Sequence, residues 1–420
     1  TIKIFLTAFW TLLFVVWIFY LKTTGDKSIL GSDTEIVLYV VFSYTIILQV
    51  CDIFTHTFLA TTETAKATIP AIISRVLTAI SKVAVAIFGF GVVFLVFSQF
   101  IGYLILLLLL LYFVRDYPIT WPTRDSIKDY IIFTLPLIFI ILASQIAINI
   151  DLVLIGYYWD FSEVSYYTIP SKMSHMLVLL SSSVSVMLLP LISQKNEKGD
   201  NSYILSIVHK SEKMICFLLV PLVSFVLIYS EYIVENVFGE VFIPSAIILV
   251  ILCITAFVSA TNRPYTTQII SVGRLDLNVK ISILIFLPHI ILNFIFIPDE
   301  IFGYSMLGLG AKGAAFATLI GTVIGAILSR YYSNSLMKAP TNFIILTFIF
   351  AGLTMSAVMM IFTIIFNSFP LMFVSFFVAL IIYVSMLIVF GAIRYSDIEL
   401  ILDSINTSKM LTYIKEEFTK

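Results

Sequence analysis

Apolar runs of 18 to 30 residues follow one another almost without pause from Thr1 to Arg394, separated by short polar turns. A bilayer core about 30 Å thick takes about 20 apolar residues per helical span, and the runs divide into about twelve such spans. They fall at 2–21, 35–58, 68–92, 95–114, 128–157, 163–192, 207–229, 241–270, 275–297, 304–333, 343–367 and 370–393. Unbroken runs such as Ile101–Leu111 lack the two-residue alternation of a barrel strand, so the pattern predicts helices. Several runs exceed the minimum, which predicts tilt or continuation past the headgroups. The expected fold class is all-α, a polytopic membrane protein.

Composition agrees. The chain is 60% hydrophobic and 12% charged, with a mean hydropathy of +1.08, where a soluble domain carries roughly twice the charge. A net charge of −1 says little about partners in a chain mostly hidden from water. Cys51, Cys216 and Cys253 all lie in apolar spans without metal-ligand spacing and read as small packing residues.

Charge in the turns sets the orientation. Lys66, Arg115, Arg124, Lys128, Lys195, Lys198, Lys210, Lys213, Arg263, Arg274, Lys280, Arg330, Lys338 and Arg394 fall in or beside one set of connections. The alternate set holds Asp160, Glu163, Glu231, Glu235, Glu240, Asp299 and Glu300. The positive-inside rule then places both termini in the cytoplasm of a multi-pass protein of the cell membrane. Lys22 and Lys27 break the alternation, but Asp26, Asp33 and Glu35 share their loop. The tail 395–420 mixes Ile398, Ile401, Ile405 and Leu411 with charges and reads as an amphipathic helix on the cytoplasmic surface.

None of the outer turns is long enough for a domain, which disfavours a membrane enzyme of polysaccharide assembly, the reading from another functional class. A phosphate-loop or nucleotide fingerprint is missing, so no cofactor, no nucleic acid and no ATP-driven step is expected. A helix–basic turn–helix pattern running from Val37 through Lys66 to Leu111 recurs from Val241 through Arg274 to Tyr332. With a six-helix unit, the first copy lacks its first two helices, and the non-Met start suggests an N-terminal truncation.

Three stretches carry a family resemblance: Ile150-Asp151-Leu152-Val153-Leu154-Ile155-Gly156-Tyr157-Tyr158, Val164-Ser165-Tyr166-Tyr167-Thr168-Ile169-Pro170-Ser171-Lys172, and Leu188-Leu189-Pro190-Leu191-Ile192-Ser193. Gly273-Arg274, Ile297-Pro298 and Gly308-Leu309-Gly310-Ala311-Lys312-Gly313-Ala314-Ala315 add to it. Together they resemble polysaccharide exporters and Wzx-type flippases of the multidrug/oligosaccharidyl-lipid/polysaccharide exporter superfamily. The resemblance implies two six-helix lobes around a central cavity and often an added helix pair. On this chain it gives a four-helix first lobe at 1–114, a second lobe at 126–333 and an added pair at 341–393, each an expectation. It also implies a polyprenyl-linked sugar as substrate, moved to the outer leaflet by a monomer embedded in membrane lipids, with coupling to H+ or Na+. A multidrug or other small-molecule antiporter of the same superfamily is the nearest alternative.

Ionisable groups at membrane depth mark cavities or partners. Lys82 lies mid-span with Arg75 and Thr78 on its face, and Gln49, Asp52 and His56 form a polar stripe on the preceding helix. These read either as a cationic wall for an anionic lipid-phosphate head or as mutual neutralisation by Asp52. Asp151 and Lys172 lie at similar depth on consecutive antiparallel helices and are expected to form a structural ion pair. His175, one turn beyond Lys172, and His289, just after Pro288 and one turn before Asn293, are translocation or proton-coupling candidates. Gly313, Ala317, Gly321 and Gly325 form a four-residue stripe that predicts close helix packing.

Overall fold

The computed structural model describes residues 32–60, 63–115, 149–197, 199–337, 344–365 and 369–392. The expected spans at 2–21 and over most of 128–157, and the tail at 395–420, lie outside them. Helices α1 (Ser32–Ala60), α2 (Thr64–Ile87) and α3 (Val92–Val114) belong to one compact unit. The second unit holds α4 (149–158), α5 (Phe161–Glu197), α6 (Asn201–Phe238), α7 (Ser245–Ser271), α8 (Leu275–Phe296), α9 (Gly310–Met337), α10 (Ile344–Ile365) and α11 (Phe369–Val389). Among the described residues nine helices are long and apolar enough to cross a membrane. The fold is all-α and multi-pass, as the hydropathy pattern predicts. The 37-residue α5 is not one of the nine; its serines and Lys172 make it the least apolar of the long helices.

Three boundaries differ from the hydropathy reading. The span expected at 68–92 ends at Ile87, where Gly89 takes a positive φ of 68° and turns the chain before α3. Helix α6 reaches from Asn201 to Phe238, well past 207–229, because its first turns are amphipathic and escape a hydropathy window. Helix α9 starts at Gly310 because a short antiparallel hairpin, β1 (Glu300–Ile301) and β2 (Tyr304–Ser305), takes up the residues before it. Phe302 and Gly303 form the hairpin tip with φ of 51° and 86°, a turn that glycine adopts freely and phenylalanine does not.

Side chains on the helices cap the turns. Asp160 accepts from Ser162 Oγ at 2.6 Å and from the Glu163 amide at 3.2 Å, starting α5. Those bonds, the Ser162 hydroxyl foremost, hold the Asp160 carboxyl below the usual carboxylate range. Asp200 does the same for α6 by accepting from the Tyr203 amide at 3.1 Å, and its carboxyl is likewise lowered.

In the first unit Cys51 and Phe58 of α1 pack with Ala67 of α2 and Leu106, Leu110 and Val114 of α3. Ser74 Oγ donates to the Gly102 carbonyl at 2.6 Å, a close approach permitted by the missing side chain at Gly102. In the second unit α10 and α11 pack on α6 through Cys216, Leu219, Val220, Val223, Phe348, Met355 and Tyr383. Helix α6 kinks at Tyr229 (φ −110°, ψ 16°), and Tyr229 Oη lies 2.6 Å from Ser375 Oγ of α11. The large apolar side chains left exposed, such as Ile80, Val83, Leu108, Ile291 and Ile381, suit a protein whose solvent is lipid.

Candidate functional site

The turn at Trp159 and Asp160 lays α5 antiparallel to α4. Asp151 and Tyr167 stand eight residues either side of Trp159 and therefore at one depth. Tyr167 Oη donates to Asp151 Oδ2 at 2.7 Å. Lys172 lies five residues further, about 7 Å along the axis, and is exposed. The expected Asp151–Lys172 ion pair is therefore corrected: equal depth is reached at position 167, and the carboxylate is taken up elsewhere.

Its other partners come from α8 and α9. Asn293 Nδ2 donates to Asp151 Oδ1 at 2.6 Å, His289 Nε2 lies 3.1 Å from the same oxygen, and Thr318 Oγ1 lies 3.1 Å from Oδ2. His289 Nε2 is also 3.3 Å from Asn293 Nδ2 and 3.4 Å from Thr318 Oγ1. Asp151 is 3% exposed, Asn293 0% and His289 8%, so this is a carboxylate–imidazole pair shut away from solvent. An uncompensated charge in such surroundings is prohibitive, and the four surrounding partners are what permit an ionised Asp151.

The glycine stripe makes the constellation possible. A Cβ at Gly313 would lie 2.5 Å from the Phe296 carbonyl oxygen, one at Gly321 3.3 Å from His289 Cβ, and one at Gly325 would run into Ile285 Cδ1. Without side chains on that face α9 lies directly on α8, which brings Thr318 to His289. The same end is tied by Trp159 Nε1, donating to the Ile297 carbonyl at 2.7 Å, and by the Glu163 carboxylate, which accepts the Ala311 amide at 2.9 Å at the start of α9. An acid beside a helix N-terminus is favourably placed in the helix dipole field.

The first-unit candidates do not share one environment. Lys82 Nζ donates to Gln99 Oε1 at 2.5 Å and is half-buried, whereas Arg75 is exposed and Thr78 is buried against Gly102 of α3. Asp52 is half-buried and His56 exposed on α1; His175 is exposed on α5. Of the eight expected site residues, the structure brings Asp151 and His289 together. Sequence reasoning missed Tyr167 and Thr318 as their partners, and the equal spacing about the 159–160 turn was the available signal for Tyr167. It also missed Glu212, which is fully buried on α6 with Tyr265 Oη at 2.6 Å and Arg330 Nη2 at 2.6 Å. Glu212 continues the stripe Ile204, Val208, Ile215, Leu219 at helical spacing, which marks it as inward-facing.

Residues 1–247, more than half of the chain, match a family described as polysaccharide biosynthesis protein. A Haloferax volcanii protein named "Probable low-salt glycan biosynthesis flippase Agl15" is 23% identical over 188 residues, 45% of this chain. The match spans 38% of that relative's length. Among solved structures, a MATE in its straight conformation aligns with a TM-score of 0.55 at 14% identity, covering 79% of this chain and 77% of that one. A transporter of the multidrug/oligosaccharidyl-lipid/polysaccharide superfamily from Pyrococcus furiosus aligns with a TM-score of 0.56 at 13% identity, covering 78% and 76%. At these identities the structures show the fold and nothing further. The match over residues 1–247 goes beyond fold, and the chain belongs to the polysaccharide biosynthesis protein family.

Proposed function

We infer that this chain is a flippase that carries a polyprenyl-linked oligosaccharide or polysaccharide repeat unit from the cytoplasmic to the outer leaflet by alternating access. The observation that carries this reading is the family match over residues 1–247. Similarity to the Haloferax glycan flippase supports it. The MATE-like fold also suits a small-molecule antiporter, but that reading leaves the polysaccharide family match without an explanation. The Lys/Arg-rich turns and both termini face the cytoplasm in this scheme, at the cell membrane. In this scheme the second lobe is the one expected at 126–333 and the added pair the one expected at 341–393.

Lys82 and Arg75 supply positive charge for the anionic phosphate head of the substrate, with Asp52, His56, Lys172 and His175 as further polar contacts. Asp151 and His289 form the ion-coupling site. Proton uptake there changes the charge of a buried pair and thereby favours one arrangement of α4, α5, α8 and α9 over another. The driving gradient is a proton gradient on this reading.

The decisive test is translocation of a fluorescent polyprenyl-diphosphate sugar in proteoliposomes, alongside rescue of glycan export in a flippase-deficient cell by the full-length gene. Export is expected with the native protein, partially with Lys82→Arg, and is lost with Lys82→Ala at unchanged abundance. Failure of the native protein to move any lipid-linked sugar, with efflux of small cations instead, overturns the flippase reading in favour of an antiporter.

A further inference from the structure

At the far end of α9 from Asp151 lies a second buried acid. Arg330 is 20 residues, about 30 Å, from the start of α9, and Tyr265 is as far from the start of α7. Both therefore sit a full bilayer thickness from the hairpin end, among the Lys/Arg-rich turns. Glu212 is 0% exposed; its Oε1 accepts from Arg330 of α9 and its Oε2 from Tyr265 of α7. The Arg330 guanidinium also stacks 5.1 Å above the Tyr265 ring. One carboxylate thus ties three helices together.

Polar groups without protein partners surround it. Of the buried side-chain atoms lacking a hydrogen-bond partner among the described residues, four are here: His209 Nε2, Asn262 Oδ1, Arg330 Nε and Asn334 Oδ1. Asn262 is anchored by Ser329 Oγ at 3.2 Å, and His209 lies with its ring 6.4 Å from that of Tyr265, so these atoms share one nest. The set mixes a donor with acceptors, which is the complement water satisfies; an anion alone would leave the amide oxygens opposed. Half-buried Lys213 and Arg330 connect the nest to the polar edge of the unit.

We propose that Glu212 is a second proton-binding site, reached through water held in this nest, and that its ionised form latches α6, α7 and α9 at the cytoplasmic end. The titratable groups around it are His209, Lys213 and Cys216 on α6, Tyr265 on α7, Arg330 on α9, and Tyr383 of α11, which reaches the Cys216 carbonyl at 3.3 Å. Among the described residues, α5 and α10 place no ionisable side chain in hydrogen-bond reach of the carboxylate. Ionised, Glu212 compensates Arg330; once protonated it no longer does, and the half-buried Arg330 becomes an unpaired cation that gains by moving further into water. The latch therefore closes at higher pH and opens as pH falls through the carboxyl's own titration. The transport reading enters only through the consequence, that cytoplasmic protons control when this end of the second unit opens.

The test reads opening directly, whatever the cargo. In the full chain with Cys51, Cys216 and Cys253 replaced by serine, Ser333→Cys on α9 reports opening, because Ser333 is 0% exposed and bonded to Gln268 of α7 at 2.8 Å. Maleimide labelling in nanodiscs is normalised at each pH to an exposed Ser202→Cys control, which removes the thiol's own titration. The parent is expected to label slowly at high pH and to accelerate as pH falls. Glu212→Gln is expected to label at least about tenfold faster at high pH, with no remaining pH dependence. Tyr265→Phe removes one donor to the carboxylate and keeps the ion pair, so its opening midpoint moves to higher pH. Equal labelling of parent and Glu212→Gln at every pH, or a pH step surviving in Glu212→Gln, overturns the proposal. If Glu212→Gln does not fold, an unmoved midpoint in Tyr265→Phe overturns it alone.

Discussion

Asp151 offers the sharpest quantitative test, because the structure pairs its charge with His289 where the sequence reading expected Lys172. Truncation by Asp151→Ala strands Tyr167 Oη, Asn293 Nδ2 and His289 Nε2, which stand 2.7, 2.6 and 3.1 Å from its oxygens in a site 3% exposed. Removing one member of a buried charge network in this way costs about 3–5 kcal/mol. The milder Asp151→Asn keeps the volume and loses the charge-assisted part, about 1.5–3 kcal/mol. The discriminating quantity is a coupling energy. A double-mutant cycle of Asp151→Asn with His289→Gln should give a coupling of about 1.5–3 kcal/mol, since the two changes share one interaction. The same cycle with Lys172→Gln should give less than about 0.5 kcal/mol, because residues without shared partners act additively. Denaturant unfolding in mixed micelles, followed by tryptophan fluorescence, supplies the four free energies for each cycle. A larger coupling to Lys172 than to His289 would restore the ion pair expected from the sequence and refute the constellation described here.

The other predictions read separate features. Gly313→Ala should destabilise by about 1–3 kcal/mol, because the new Cβ meets backbone at Phe296 that cannot rotate away, while Gly321→Ala meets only His289 Cβ at 3.3 Å and should cost less; thermal unfolding in lipid ranks the two. Trp159→Phe keeps the ring and loses the bond to the Ile297 carbonyl, a cost of about 1 kcal/mol in the same assay. The carboxyl of Asp160 is lowered by Ser162 and the Glu163 amide, so its contribution to the start of α5 is present above the unfolded carboxylate value and lost as pH falls through the lower folded value. Hydrogen-exchange protection of the first α5 turn, corrected for the intrinsic pH dependence of exchange, should then fall in acid, and Asp160→Asn should remove that change in protection.

Among the described residues the positions of the spans were legible because lipid demands long apolar runs, a requirement a sequence states openly. Their ends were less so. The start of α9 was placed at 304 because Ile301, Phe302, Tyr304, Met306 and Leu307 continue the apolar run, yet Gly303 and the turn it permits break the helix there. The opposite error occurred at α6, where 201–206 fall before the expected span 207–229 and are instead the first turns of the helix, with Ile204 buried. Asp151 and His289 stood out as ionisable groups within apolar runs, but which of them meet depends on packing between helices distant in sequence. Asp151 and Asn293 are 142 residues apart, and only the packing of their two helices brings them together.

The close seating of α9 on α8 also bears on where α9 meets its polar partners: at Thr318 on the flank of the seam and at Arg330 past its end. From Gly313 to Gly325 the helix lies against α8 through a face with no side chains beyond Cα or a methyl, so that stretch is held by close backbone packing and offers polar partners little room. Thr318 faces the Asp151 constellation from the margin of this seam, and Arg330 reaches Glu212 just past its end, 12 residues or about 18 Å further along. A close-packed seam resists local deformation, since its surfaces move together or not at all. On the proposed coupling, a rearrangement at Asp151 and His289 is therefore passed to α9 as a whole, including the end that carries Arg330. On the transport reading proposed above, Asp151 through Thr318 and Glu212 through Arg330 act on this one helix at two depths about 18 Å apart, so that α9 is the element through which a change at one level is passed to the other.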